Sequence, residues 1–323
     1  MTMTASNATN GPLPGPFWRL GMKFMRFAAG SLAAIVLTTP VVSAQDRAAD
    51  VMAAARKAIG AEKLNTFQTL TVVAKTARNI GDRQMTSTVE LLVDAPDKYA
   101  RIEDLTTPIA RTSVSGFNGE TAIRPAGTTM GRGGVVMFSM GPGGAAAPGA
   151  SLSPEEEDRL NAMLLRSQRA EITRLMLGWL AMPHPGVPVT FTYAGEAESP
   201  DGKAHVIDVA GEGLASRLFI DQATNLPLML TFQGPKPRVM TMRGPAPGRQ
   251  GGAPDAEMRR QVESAAAEPP EMVENYVYFS DWRKVDGIQF PHVMQRAVDG
   301  ETVEEWDITR VRLNAPIAPD KFR

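Results

Sequence analysis

Hydrophobic and polar residues alternate along much of the chain with a period of two, which is typical of β-strands that have one buried face. The alternation is most regular near the C-terminus. There it predicts three strands joined by Asp286-Gly287 and Asp299-Gly300, at about residues 272–284, 288–297 and 301–313. An Asp-Gly pair between alternating segments is a strong hairpin signal because both turn residues adopt positive φ angles. These residues are therefore predicted to form an antiparallel meander.

Further strands are predicted earlier in the chain. Between residues 84 and 104, Val89, Leu91 and Val93 are expected to share one face. Two hairpins are predicted, with turns around Asn118-Gly119 and Asp221–Asn225, at residues 112–125 and 216–233. In the last strand of the chain, two opposite faces are predicted, one with Val303, Val311 and Leu313 and the other with Trp306 and Ile308.

Two segments have helical spacing instead. Residues 46–60 are predicted to form a short helix, with Asp46 as its N-cap and Gly60 at its end. A longer helix begins after Ser153, which forms a capping box with Glu156. The apolar stripe of this helix is predicted to be Ile172, Leu175, Met176, Trp179 and Leu180.

The order of these elements is strands, then a helix, then strands, without regular βα alternation. This order predicts an α+β fold, in which helices pack on one face of an antiparallel sheet. Residues 45–323 are predicted to form a single domain with two inserts, at about 126–150 and 234–270, both rich in glycine and alanine or proline. The first insert is predicted to be a flexible flap.

The N-terminus has the features of an export signal. Arg19, Lys23 and Arg26 precede an apolar run at 27–42, and Val42 and Ala44 suit the cleavage site of a signal peptidase. We therefore predict that residues 1–44 are a signal peptide cleaved after Ala44, with Met22 as an alternative start. The apolar run is shorter than the ~20 residues that a membrane span needs. The predicted location is the periplasm, and a permanent N-terminal anchor is the alternative.

Composition restricts the function further. The net charge of the 323-residue chain is -1, which argues against a nucleic-acid partner because neutralising phosphates needs clustered lysine and arginine. The chain has no cysteine, which excludes disulfides, thiolate metal sites, a cysteine nucleophile and a lipid-bearing cysteine. His184, His205 and His292 lack the spacing of metal ligands, and no nucleophile elbow, zincin or phosphate-loop motif is present. No catalytic residue, metal or cofactor is therefore predicted.

Four segments resemble the LolA/LolB-like superfamily of outer-membrane lipoprotein-sorting carriers, in that family's order. After the helix at 46–60, "DAPDKYARIED" (94–104) is similar to a family strand, and "VSGFNGETAIRP" (114–125) to its glycine-containing hairpin. "LFIDQATNLPLMLTF" (218–232) resembles the strand–Asp–turn–strand hairpin, and "APIAPDKFR" (315–323) the closing tail.

The resemblance implies a strongly curved, unclosed antiparallel half-barrel with helices on its concave face. In the family this cavity takes acyl chains and needs no catalytic residue, so the resemblance implies a carrier that binds a lipid or a lipoprotein acyl chain. A membrane-protein partner in the inner or outer membrane would also be consistent with it. Arg101 is the candidate gating residue, with a role on the sheet surface as the alternative. The remaining candidate ligand-binding residues are Leu91, Val93, Tyr99, Trp179, Phe191, Phe219 and Trp306.

Two other functions stay open at this point. The same fold can serve as an envelope stress sensor or protein-interaction module, with the inserts as binding arms. A hydrolase with an unrecognised carboxylate pair is the third hypothesis. The sequence also leaves open whether the sheet encloses a cavity or a well-filled core.

Overall fold

The computed structural model describes residues 43–80, 83–105, 111–125, 128–130, 136–138, 153–199, 202–236 and 271–323. The predicted signal peptide, apart from its last two residues, lies outside the described residues. Most of the two predicted inserts lies outside them as well.

Most of the described residues belong to strands and three α-helices. The helices are α1 (Ala44–Ile59), α2 (Ala61–Leu64) and α3 (Pro154–Leu180), and a 3-10 helix follows at Pro319–Phe322. The strands of the N-terminal half are β1 (Thr69–Ile80), β2 (Arg83–Asp94), β3 (Lys98–Leu105), β4 (Arg111–Asn118), β5 (Thr121–Ile123), β6 (Thr128–Met130) and β7 (Val136–Phe138). Those of the C-terminal half are β8 (Val189–Ser199), β9 (Gly202–Gly211), β10 (Leu214–Asp221), β11 (Pro227–Pro235), β12 (Met272–Val285), β13 (Ile288–Val298) and β14 (Glu301–Leu313).

Twelve of these strands form one antiparallel sheet, in the order β5-β4-β3-β2-β1-β14-β13-β12-β11-β10-β9-β8. Neighbours in the sheet are neighbours in sequence except at its middle, where the first strand pairs with the last. Leu70 lies opposite Leu313 in this pairing. The edge strands β5 and β8 are at opposite ends of the order, so the sheet is not closed. Strands β6 and β7 pair separately, which places a short hairpin within the predicted flap.

The sheet curves strongly around α3. The side chain of Gln168 donates to the carbonyl of Ile123 in β5 at 3.0 Å, whereas Arg166, two residues earlier, forms an ion pair with Glu212 beside β10 at 3.4 Å. In a flat sheet β5 and β10 would be roughly 43 Å apart, because neighbouring strands are separated by about 4.8 Å. One helical segment reaches both strands only if the sheet bends around it. The face toward α1 and α3 is called the concave face below.

Helix α1 begins two residues earlier than predicted. Its N-cap is Ser43, whose Oγ accepts from the backbone N–H of Asp46 at 3.1 Å, so the prediction of Asp46 as the cap is wrong. Both residue types favour this position, and sequence alone does not choose between candidates three residues apart. Ala48, Met52 and Ala55 repeat at helical spacing and are buried where α1 contacts β8 and β13.

Helix α3 begins as the sequence predicts. Ser153 Oγ accepts from the N–H of Glu156 at 3.3 Å, and Glu156 Oε2 accepts from the N–H of Ser153 at 2.8 Å, which completes the capping box. The first turn is exposed, whereas the last turns are buried through Trp179 and Leu180. The helix ends at Ala181, which adopts a left-handed conformation with φ 49°.

The C-terminal meander also follows the prediction. Asp286 and Gly287 have φ angles of 50° and 89°, and Asp299 and Gly300 have 55° and 84°, as hairpin turns of this kind require. The strands β12, β13 and β14 agree with the predicted segments to within a residue at each end. The predicted fold class, an unclosed and strongly curved antiparallel sheet with helices on its concave face, is confirmed.

The main core lies between the concave face and the helices α1 and α3. A second cluster lies on the opposite, convex face, where Phe322 of the C-terminal tail packs on Leu92, Ala100 and Ile123. This packing fixes the tail across β2 to β5. The helical layer is therefore confined to one face, and the concave face is where a ligand could meet helix and sheet together.

Candidate functional site

The structure brings most of the predicted ligand-binding residues together on the concave face. Leu91, Val93, Tyr99, Trp179 and Trp306 all belong to the main core and are almost fully buried. Phe191 is partly buried and packs against the margin of the same core. These six side chains therefore share one apolar region between the sheet and the helices α1 and α3.

Phe219 is placed elsewhere, and its predicted position with the others is corrected. It lies on the convex face, in a cluster with Ala204, Val206 and Met229. The adjacent Leu218 and Ile220 point into the main core instead. Three consecutive apolar residues give no alternation from which the inward face could be predicted.

In this structure side chains fill the concave face. Trp179 has no exposed surface, and Leu91 and Tyr99 are each 1% exposed. Two open clefts lie on the convex face, on either side of the C-terminal tail. One has a volume of about 520 Å³ and includes Val114 and Phe322; the other has about 180 Å³ and includes Arg310 and Lys321. A ligand on the concave face would therefore have to displace a part of the helical layer.

The concave core contains polar atoms that the described residues do not satisfy. Tyr99 Oη, Thr173 Oγ1, Trp179 Nε1 and Trp306 Nε1 are buried and have no hydrogen-bond partner. Burial raises the pKa of Tyr99, and the nearby Glu171 raises it further. Each such unpaired group costs about 1–3 kcal/mol, and native proteins contain few of them. Four such atoms in one region leave hydrogen-bonding positions open to a buried water or to a bound ligand.

Beside these atoms lies a group of charged side chains, here called the charged cluster: Arg78, Arg101, Glu103, Glu171 and Glu304. Arg101 is central, with Nη1 3.2 Å from Glu171 on α3 and Nη2 3.2 Å from Glu103 on its own strand. It is also 3.7 Å from Glu304 of β14. Burial alone would lower the pKa of Arg101, but Glu171, Glu304 and Glu103 together raise it above its ordinary value.

Glu304 joins the two arginines of the charged cluster. Arg78 Nη2 donates to Glu304 Oε1 at 2.9 Å. Burial tends to raise the pKa of Glu304, yet Arg78 and Arg101 keep it below its ordinary value, so the buried carboxylate stays ionised. Polar residues extend the cluster, because Ser87 donates to Glu103 at 2.8 Å and is 2.6 Å from Thr76.

Arg101 was the one member of the charged cluster predicted from the sequence. The structure places it on the concave face with its side chain 13% exposed, where it holds α3 to the sheet through Glu171. The other members were missed. A signal was available, since Glu304 and Trp306 both occupy inward positions of β14, and a charge at an inward position needs a buried partner.

Potential metal ligands are scattered over the described part of the chain. No group of three or more histidine, aspartate or glutamate residues there could hold a metal ion. His184 is buried with Nδ1 accepting from the N–H of Gly186 at 3.2 Å, and His205 lies 3.3 Å from Tyr193 Oη. Nor does any helix within the described ranges have the length and apolar content that crossing a membrane requires.

No family model matches the chain, and no curated protein matches it. Solved structures do. A DUF1329 family protein from Desulfovibrio piger is 12% identical, with 85% of this chain and 97% of that chain covered and a TM-score of 0.45. A LolA superfamily protein from Nitrosomonas europaea is 10% identical, with 85% and 97% covered and a TM-score of 0.44. LprF from Mycobacterium bovis is 11% identical, with 85% and 97% covered and a TM-score of 0.24. The similar structures thus include a member of the superfamily that the sequence resembles.

Proposed function

We propose that this protein is a non-catalytic carrier that binds an amphipathic ligand, a lipid or a lipoprotein acyl chain, on the concave face of its sheet. The observation that carries the proposal is the composition of that face. Apolar side chains surround four buried polar atoms without partners, and the charged cluster adjoins them. An acyl chain and a polar headgroup are the two parts of a molecule that such a surface would bind.

The N-terminal half of α3 is proposed to act as the lid. Its attachment to β5 is polar: Asn161 accepts from the N–H of Ala122 and donates to the carbonyl of Glu120, both at 2.8 Å. Leu160 and Leu165 are its buried apolar residues, whereas the C-terminal half is buried almost continuously. Polar contacts near the surface exchange readily with water, so this half of the helix can detach at a lower cost than the other.

The predicted signal peptide supports a periplasmic location, where a carrier of this kind would move lipid between membranes. A protein partner in either membrane is part of the same proposal, because a carrier must receive and release its ligand.

A reversible crosslink tests the lid. A Cβ on Gly213 would lie 2.5 Å from Cγ of Arg166, so the two positions are adjacent; a cysteine at Gly213, where φ is +67°, costs roughly 1–2 kcal/mol in backbone strain. The natural chain has no cysteine, so the double variant Arg166→Cys, Gly213→Cys has one thiol pair. Oxidation should slow the uptake of a fluorescent fatty acid by about tenfold or more, equivalent to ~1.4 kcal/mol in the barrier. Reduction should restore the original rate.

The Arg166→Cys single variant is the matched control, since it loses the ion pair to Glu212 but cannot form the bond. Equal uptake by the oxidised and reduced double variant would show that α3 is not the lid.

Native mass spectrometry of protein purified from periplasm tests the carrier function itself. Bound lipid is expected. A preparation that is consistently ligand-free and takes up no fatty acid would contradict the carrier, and capture of one specific partner without lipid would favour the interaction module.

A further inference from the structure

Arg174 is a half-buried cation without a carboxylate partner among the described residues. It follows Glu171 by one turn of α3, but Glu171 is bound to Arg101 instead. Its guanidinium lies over the ring of Phe232 in β11, with Cζ 4.1 Å from the ring centroid, and Nε donates to Ser216 Oγ at 3.2 Å. Burial lowers the pKa of Arg174 to about 10; the charge of Glu171 opposes this shift, and the positive charge of Arg296 adds to it. The charge of this side chain is therefore only partly compensated.

Arg296 of β13 is in a similar position. Its Nη2 donates to Asn275 Oδ1 at 2.9 Å, while its Nε is buried and has no partner. Asn275 lies opposite Phe232 in the pairing of β11 with β12, so the residue beneath Arg174 and the residue bound to Arg296 are cross-strand neighbours. The two arginines thus approach the same part of the concave face from the helix and from the sheet.

The charged cluster supplies the missing negative charge only in part: Glu171 acts on Arg174, and Glu304 lies opposite Arg296 in the pairing of β13 with β14. Its three glutamates already bind Arg78 and Arg101 at 3.2 Å or less. Within the described ranges no carboxylate oxygen lies within 4.0 Å of a guanidinium nitrogen of Arg174 or Arg296. Two neighbouring, partly desolvated cations repel each other, so an anion bound between them would lower the electrostatic free energy of the folded protein.

We infer that Arg174 and Arg296 bind the anionic headgroup, a carboxylate or a phosphate, of the amphipathic ligand. The inference rests on the proposed carrier function and specifies its ligand class. A guanidinium presents N–H donors in a plane that fits the oxygens of both anions, and charge-assisted hydrogen bonds of this kind are the strong ones. Phe232 and the neighbouring apolar core would contact the first methylenes of the chain.

The test compares three ligands of equal chain length: hexadecanoate, hexadecyl phosphate and uncharged hexadecanol. Their affinities are measured by calorimetry on the natural protein and on Arg174→Gln and Arg296→Gln. The natural protein should prefer at least one anion to hexadecanol by about tenfold, and each variant should lose most of that preference. Affinity for hexadecanol should stay the same. The anion that binds better identifies the headgroup as carboxylate or phosphate.

Arg310→Gln is the matched control, because Arg310 is exposed on the convex face and should leave all three affinities unchanged. Equal affinity of the natural protein for anions and hexadecanol would overturn the headgroup site while leaving the carrier function intact. An equal loss of all three ligands in the arginine variants would overturn it too, since that result indicates a structural role.

Thermal unfolding separates the remaining cases. Because neither arginine forms a direct ion pair in the described structure, and glutamine keeps an N–H donor for Ser216 or Asn275, the glutamine variants should unfold at nearly the same temperature as the natural protein. A marked fall in Tm would contradict the inference.

If no amphiphile binds, the carrier function fails, and inorganic phosphate then tests the arginines alone. Phosphate should raise the Tm of the natural protein more than that of either variant, and equal shifts would overturn the site.

Discussion

Arg101 lies over the indole ring of Trp306, with its Cζ 5.2 Å from the ring centroid. The two residues belong to β3 and β14, which are separated by two strands in the sheet. In a flat sheet their backbones would be roughly 14 Å apart at the usual strand spacing. Side chains can meet over this distance because the curvature of the sheet turns both toward the same interior space. The contact joins the aromatic core to the charged cluster.

Replacing Arg101 should destabilise the fold strongly. Arg101→Met removes the cation that Glu103, Glu171 and Glu304 share, and leaves buried carboxylates with too little positive charge. Removal of one partner from a buried ionic group typically costs about 3–5 kcal/mol. Urea unfolding followed by circular dichroism measures the change. Arg310→Gln, an exposed arginine on the other face, should change the stability by less than ~0.5 kcal/mol. A similar small effect of Arg101→Met would contradict the buried network.

His184 should make the protein less stable in mild acid. Burial, with a smaller effect of Arg169, lowers the pKa of His184 to about 4, so the folded state holds the ring neutral where the unfolded chain, with a pKa near 6.5, is protonated. The contribution of the neutral His184 ring to the free energy of unfolding is complete above about pH 6.5 and is lost as the pH falls toward 4. Between pH 7.5 and pH 5 the loss should be about 2 kcal/mol.

The variant His184→Gln isolates this effect, because it cannot take up the proton. The difference in unfolding free energy between the natural protein and this variant should change with pH in that interval and be constant above it. A difference that does not depend on pH would show that the ring is already solvated in the folded state.

Gly178 should resist a substitution that normally favours a helix. Glycine to alanine inside a helix usually stabilises by about 1 kcal/mol. At Gly178, however, an added Cβ would overlap the ring of Phe279, which is 3% exposed in the packed core. We expect Gly178→Ala to destabilise by about 1–3 kcal/mol. Ser167→Ala, at an exposed position of the same helix, should be slightly stabilising in the same thermal assay. Two equally tolerated substitutions would mean that α3 does not pack as closely on β12 as the structure shows.

The elements that the sequence predicted best are those specified by neighbours along the chain. The capping box of Ser153 and Glu156 and the two Asp-Gly turns depend on residues at most three positions apart, and all are present. The strands of the C-terminal meander follow from their alternation. Local patterns of this kind determine where an element begins and ends, because the backbone there satisfies its own hydrogen bonds and φ angles.

The predicted division of side chains between the two faces of the sheet is wrong where a strand contains a bulge. Val311 was predicted on the face opposite Trp306, yet both belong to the main core. The pairing register between β1 and β14 shifts after Val73, so Val73 pairs with Arg310 and Ala74 with Ile308. Thr309 therefore has no opposite residue in β1. This extra residue exchanges the inward and outward positions of β14 from Arg310 onward. A bulge of one residue leaves no composition signal, so strict alternation gave the wrong face.

Alternation could have placed Glu304 on the inward face, but the identity of its partners in the charged cluster was beyond prediction for a related reason. Glu304 and Arg101 are more than two hundred residues apart, and alternation does not identify the strand beside which each one lies. Their contact exists because β1 pairs with β14, a pairing that no turn specifies. Long-range strand order of this type is chosen by the packing of the whole molecule.

The central pairing of β1 with β14 has a consequence for biogenesis. The N-terminal strands have no completed sheet to join until the residues up to Leu313 have been synthesised. Until then β1 and β13 are both open edges, and a chain dominated by such distant contacts acquires its structure slowly. A chain whose central strand pairing forms last exposes both edges for longer, so it needs protection from aggregation during that interval.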